Sequence, residues 1–146
     1  MYYLFFASKM LLAILLGGAL GWQREKIGKS AGPRTYALVC VGSALFTVLS
    51  LYGFGVMGDT ARVAAQILTG IGFLGAGLII HKDGATVSGL TTAAGLWVVA
   101  AVGMAIGVGW YIEATIVTLL ILVVFVVDDN KLVKSRKNLD KKKELL

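Results

Sequence analysis

Proline occurs once in this chain, cysteine once and histidine once, and charged residues make up only 15% of its 146 positions. The single cysteine, Cys40, has no partner for an intramolecular disulfide. One cysteine and one histidine cannot build a zinc site from those ligands, so neither a metal centre of that kind nor a cofactor is expected. Ser–His and Cys–His pairings and phosphate loops are missing as well, which argues against an enzyme and leaves no catalytic residue to nominate. His81 stands in the short segment HKDG, where a solvated turn residue is expected. The shortage of charge excludes an ordinary soluble domain, in which about a quarter of residues are charged. With one proline against 19 glycines, the glycines read as points of close helix contact rather than as loops.

What is present is apolar sequence. Hydrophobic residues make up 58% of the chain, and the mean hydropathy is +0.83. Charges bunch at a few places instead of alternating with apolar residues, so the bilayer is the expected solvent. The reading is an all-α, polytopic integral membrane bundle of about five transmembrane helices, near 4–22, 35–52, 63–80, 87–105 and 109–127, followed by a basic tail at 128–146. The last two spans form one long apolar run, and the turn between them is placed at Gly103 to Gly109, where GMAIGVG precedes Trp110 and Tyr111 at the membrane interface. That places Glu113 at headgroup level. The N-terminal apolar run lacks a basic leader and a clear cleavage site, and reads as an uncleaved first span.

Lys and Arg fall unevenly. Arg24, Lys26, Lys29 and Arg34 follow span one, Lys82 follows span three, and seven more occupy the tail, whereas the opposite side has Arg62 and Lys9, which would snorkel outward. The orientation expected is N-terminus outside and C-terminus cytoplasmic. The tail reads as a lipid-surface segment, with Leu132, Leu139 and Leu145 giving a short amphipathic helix; nucleic acid is not an expected partner, because no aromatic platform accompanies the lysines.

Small residues form stripes. Ala13, Gly17 and Gly21 recur every four residues on span one; Gly70, Gly72, Gly75 and Gly77 crowd span three; Gly89, Ala93, Ala100, Gly103 and Gly107 run along span four around Trp97. Such stripes serve helix packing within a chain first and a dimer interface second. Polar residues inside the spans form a candidate intramembrane site of Ser43, Arg62, Gln66, Thr91 and Thr92. Gln66 stands out, since its amide needs partners in hydrocarbon.

The segment GWQREKIGKSAGPRTYALVCVGSALF, with ARVAAQILTGIGFLGAGLI from Ala61 and VSGLTTAAGLWVVAAVGMAIGVG from Val87, resembles the MgtC/SapB family of bacterial inner-membrane proteins over nearly all of residues 15 to 127. Gln23 stands where that family often has an acid, and Pro33 where it commonly has Leu. The family's namesake carries a C-terminal ACT-like domain, and this chain resembles the shorter, membrane-domain-only form. The resemblance implies a multi-pass inner-membrane protein for adaptation to low magnesium and stress, with a virulence-related role in some members. The implied mode of action is regulation of another membrane complex, such as the membrane sector of the F-type ATP synthase. The alternative is a transporter or channel for a small ion such as magnesium. None of the acids, Glu25, Asp59, Asp83, Glu113, Asp128, Asp129, Asp140 and Glu144, sits in mid-span, so no carboxylate pathway for that ion is visible. At the cytoplasmic mouth, Arg24, Glu25, Lys29, Arg34 and Thr35 are expected to form a hydrogen-bonded cluster.

Overall fold

A computed structural model describes residues 2–54, 59, 61–82 and 86–143 of the chain. It contains α1 (Tyr2–Lys26), α2 (Pro33–Tyr52), α3 (Arg62–Leu78), β1 (Ile80–Lys82), β2 (Thr86–Ser88), α4 (Leu90–Val108) and α5 (Tyr111–Lys143). The architecture is all-α apart from a two-stranded antiparallel hairpin that pairs His81 with Val87. Three helices, at 3–26, 33–52 and 90–108, are long and apolar enough to cross a membrane, while α3 and the apolar part of α5 are shorter. Large apolar side chains such as Leu4, Phe73, Ile112 and Val123 are exposed on the bundle's outer surface, where lipid rather than water satisfies them.

The core is built on α2 and α4. On α1, Ala13, Gly17, Leu20, Gly21 and Arg24 are all buried and lie at i, i+4, i+7, i+8 and i+11, one helix face. That face meets α2 at close range. A Cβ on Gly17 would lie 2.8 Å from both Cys40 Cβ and the Tyr36 carbonyl, and one on Gly21 would lie 2.5 Å from Pro33 Cα. The other side of α2 meets α4, where a Cβ on Gly107 would lie 2.7 Å from Thr47 Cβ and one on Gly103 would collide with the Cys40 carbonyl. Glycines on two helices thus clamp a third.

Several sequence expectations change. The first helix continues one turn past Trp22 to Lys26, because Arg24 and Lys26 suit the negative end of a helix. It stops at Gly28, φ +70°, where the Gly28 N–H donates to the Glu25 carbonyl at 2.9 Å and the Lys29 N–H to the Arg24 carbonyl at 3.1 Å, a Schellman termination. The turn before α5 occupies Gly109 (φ +108°) and Trp110 alone; Gly103 and Gly107 stay helical, their missing side chains making room for α2. The fourth helix begins at Leu90 rather than near 87, since 86–88 pair as β2. His81 lies in β1 instead of a loop; Asp83 and Gly84 of the same segment lie outside the described residues. The tail backbone continues α5 to Lys143 in place of a separate surface helix, and Leu145 lies outside the described residues. Lys9 is buried rather than snorkelling.

Candidate functional site

Two polar regions emerge from this packing. The first gathers around Arg24, which the periodicity of α1 carries into the bundle three residues beyond Gly21. Its guanidinium carbon lies 4.4 Å from the centroid of the Phe125 ring of α5, in cation–π geometry, and Arg24 is 0% exposed. Next to Phe125, across Gly95, Tyr36 of α2 is fully buried and donates its hydroxyl to the Thr92 carbonyl of α4 at 3.4 Å. Gly95 makes this possible: a side chain there would collide with the Tyr36 phenol and lie 3.1 Å from Phe125 Cζ. Four helices therefore meet at one cation and two rings.

The remaining members of the expected mouth cluster lie outside this core. Glu25, Arg34 and Thr35 are exposed and Lys29 is half-buried. Glu25 extends over the loop, with Oε1 3.4 Å from where a Cβ on Gly32 would stand. Phe125, Tyr36 and Gly95 carry no local sequence signal that marks them as members of the cluster. The signal that would have placed Arg24 inside was the buried stripe itself, since adding seven to Gly17 reaches it.

The second region is an apolar groove of about 520 Å³ between α2 and α3, with Ser43 and Gln66 among its walls. Ser43 is buried there, and its carbonyl accepts the Thr47 hydroxyl at 2.8 Å. Gln66 is exposed. Arg62 is also exposed, on the first turn of α3, which Ser50 of α2 helps cap by accepting the Ala64 N–H at 3.3 Å. Of the candidate intramembrane residues, the structure brings Ser43 and Gln66 to one groove, sends Thr92 to the Tyr36 cluster and leaves Thr91 exposed.

The outer face of α3 is unusual. Arg62, Gln66, Thr69, Gly70, Phe73 and Gly77 are all exposed; Arg62, Thr69, Phe73 and Gly77 lie on the side away from the buried Ile67, Ile71 and Gly75, and Gln66 and Gly70 border the groove beside them. A Cβ on Gly70, Gly72 or Gly77 would meet nothing within 4 Å, and one on Gly75 would meet Ala93 at an ordinary 3.6 Å. Gly70, Gly72 and Gly77 therefore do not serve close packing among the described residues. Gly89 caps α4 with φ +93°, its backbone pressed on the end of α3, and Trp97 is partly exposed. Among the described residues no group of three His, Cys, Asp or Glu side chains stands close enough to hold a metal ion.

The family model described as MgtC family matches residues 10–131. The chain is 46% identical over 130 residues to the putative magnesium transporter YhiD of Escherichia coli K12, covering 82% of this chain and 60% of that protein. It is 51% identical over 114 residues to Protein MgtC of Brucella abortus, covering 77% and 46%, and 38% identical over 122 residues to Protein SapB of Bacillus subtilis, covering 79% and 53%. The chain thus spans roughly half the length of these relatives. No solved structure matches it.

Proposed function

Since this chain belongs to the MgtC family, we propose that it is a regulatory protein of the bacterial inner membrane that acts on another membrane complex during adaptation to low magnesium or stress. The proposed arrangement puts the Arg24 end and the basic tail on the cytoplasmic side, following the Lys and Arg bias. The membrane sector of the F-type ATP synthase is the first candidate complex. The observation that carries the reading is the outer face of α3. An amide facing hydrocarbon without partners costs several kcal/mol or finds another helix, and glycines without neighbours allow that helix to approach closely. Gln66, Gly70, Phe73 and Gly77 offer both features on one face.

The second reading, passage of magnesium, draws on the name of the Escherichia coli relative. The buried hydroxyls give it little support. Thr47 and Thr118 donate to the Ser43 and Ala114 carbonyls of their own helices at 2.8 Å, which is how hydroxyls are satisfied in a packed bundle.

A photo-reactive residue at position 73, 82% exposed, is expected to crosslink in native membranes to a subunit of a membrane complex, while one at Leu119 on α5 is not. Gln66→Leu is expected to lower that yield about tenfold and to change stability by less than about 0.5 kcal/mol, as exposed substitutions do. Magnesium flux into liposomes holding the purified protein, above that of empty liposomes, would favour the transport reading instead.

A further inference from the structure

The longest helix continues well past its apolar sequence. In α5 the apolar part, Tyr111–Val127, rises about 25 Å at 1.5 Å per residue, and the same helix runs on through residues 128–143 for about another 24 Å. The headgroup layer takes up only roughly 5–8 Å of that extra length. Even at a tilt of about 40°, the upper end of what spanning helices adopt, the end of α5 stands about 18 Å above the apolar zone. The extension is therefore a strut that leaves the bilayer.

Helical register sorts its charges. At about 100° per residue, Leu132 and Leu139 fall within about 40° of the line through Phe125, the residue that stacks on Arg24. Asp128, Asp129 and Asp140 lie within about 60° of that line, so every acid of residues 128–143 is on this side, together with Arg136 and Lys143. Lys131, Lys134, Lys137, Lys141 and Lys142 lie about 100° or more away. These five lysine positions share the side turned away from Phe125, with no acid among them.

The bilayer is a poor counterpart for that side. A helix lying on anionic lipid puts its leucines down with cations around them, whereas here acids flank the leucines. Attraction to anionic headgroups fades within a Debye length, about 8 Å at physiological ionic strength, and on an upright helix Lys141 stands about 13 Å beyond the headgroups. Nucleic acid fits no better, because residues 128–143 hold no aromatic on which bases could stack.

We propose that the lysine side of the α5 extension docks an acidic surface of a protein domain outside the bilayer. Positions 131, 134, 137 and 141 follow the three-and-four spacing of one helix ridge, about 15 Å long, and a row of carboxylates on a facing helix complements it in charge and spacing. This surface is separate from the face of α3 within the membrane, and either can serve without the other.

The full chain in nanodiscs containing phosphatidylglycerol tests this, with a soluble helical peptide carrying a row of glutamates along one face as the probe. The peptide is expected to bind. Lys137→Gln combined with Lys141→Gln should weaken binding about tenfold, as the loss of two ion pairs would, while Arg136→Gln combined with Lys143→Gln, which removes the same charge from the other side, should weaken it less than about threefold. A fluorophore at position 141 should escape quenching by nitroxides on lipid headgroups that quench one at position 130. The docking is overturned if the two double variants weaken binding alike, if a glutamine version of the peptide binds as well, or if single-stranded RNA binds more tightly than the peptide. Quenching at position 141 equal to that at 130 would also overturn it and return the lysines to the lipid. None of these outcomes alters the crosslink expected from position 73.

Discussion

Gly103→Val is expected to prevent assembly of the bundle. A side chain at 103 would run into the Cys40 carbonyl and stand 2.9 Å from Ser43 Cβ. The clash is with backbone on α2, so no rotamer change relieves it. Nor can α2 retreat, because on its far side Cys40 Cβ and the Tyr36 carbonyl already sit 2.8 Å from the position of a Gly17 Cβ. Overpacking in a core usually costs about 1–3 kcal/mol. With backbone fixed on both sides the cost should reach about 3 kcal/mol or more, a large share of the 5–15 kcal/mol that typically separates folded from unfolded chains. The measurement is the monodisperse fraction in size-exclusion chromatography together with the thermal midpoint. Gly18→Ala is the control, since nothing lies within 4 Å of its added Cβ and alanine favours helix by up to about 1 kcal/mol. Equal behaviour of the two variants would show that the α2–α4 contact is not tight.

The same glycines show what could be read from sequence and what could not. A stripe of small residues announces close approach, and the helices it lies on follow from length and hydropathy. It does not name the neighbour. Gly17 and Gly21 meet α2, whereas Gly70 and Gly77, equally suggestive in sequence, meet nothing among the described residues. The difference lies in the placement of α3 at the edge of the bundle, which is set by contacts distant in sequence. Gly103 and Gly107 resembled a turn for a related reason. Glycine is common both at helix ends and at close crossings, and only Gly109, with its left-handed φ, makes the turn. Lys9 was illegible from local sequence because its acceptor lies 98 residues away. A lysine near the start of a span ordinarily snorkels; here aromatic rings from α1 and α5 and a helix end close over it.

Arg24→Ala is expected to destabilise the protein by about 2–4 kcal/mol, combining the loss of a desolvated cation–π contact with the cavity left by a large buried side chain. Arg24→Lys should recover less than half of this, because an ammonium keeps the charge but not the flat guanidinium that stacks on Phe125. Phe125→Leu combined with Arg24→Ala should cost less than the sum of the single changes by about 1 kcal/mol, since both remove the same contact. Glu25→Gln, one residue along but exposed, should stay within about 0.5 kcal/mol of the wild type. Thermal midpoints of these five proteins check the set. Additive effects of Arg24→Ala and Phe125→Leu would show that the stacked pair carries no energy of its own. The functional consequence follows from geometry: the Arg24 cluster ties α1, α2, α4 and α5 together, and α3 lies outside it. Crosslinking from position 73 should therefore fall in Arg24→Ala only in proportion to the folded protein remaining, whereas in Gln66→Leu it should fall with the fold intact. If Arg24→Ala lost the crosslink while keeping its thermal midpoint, the charged end would belong to the partner surface and not to the framework behind it.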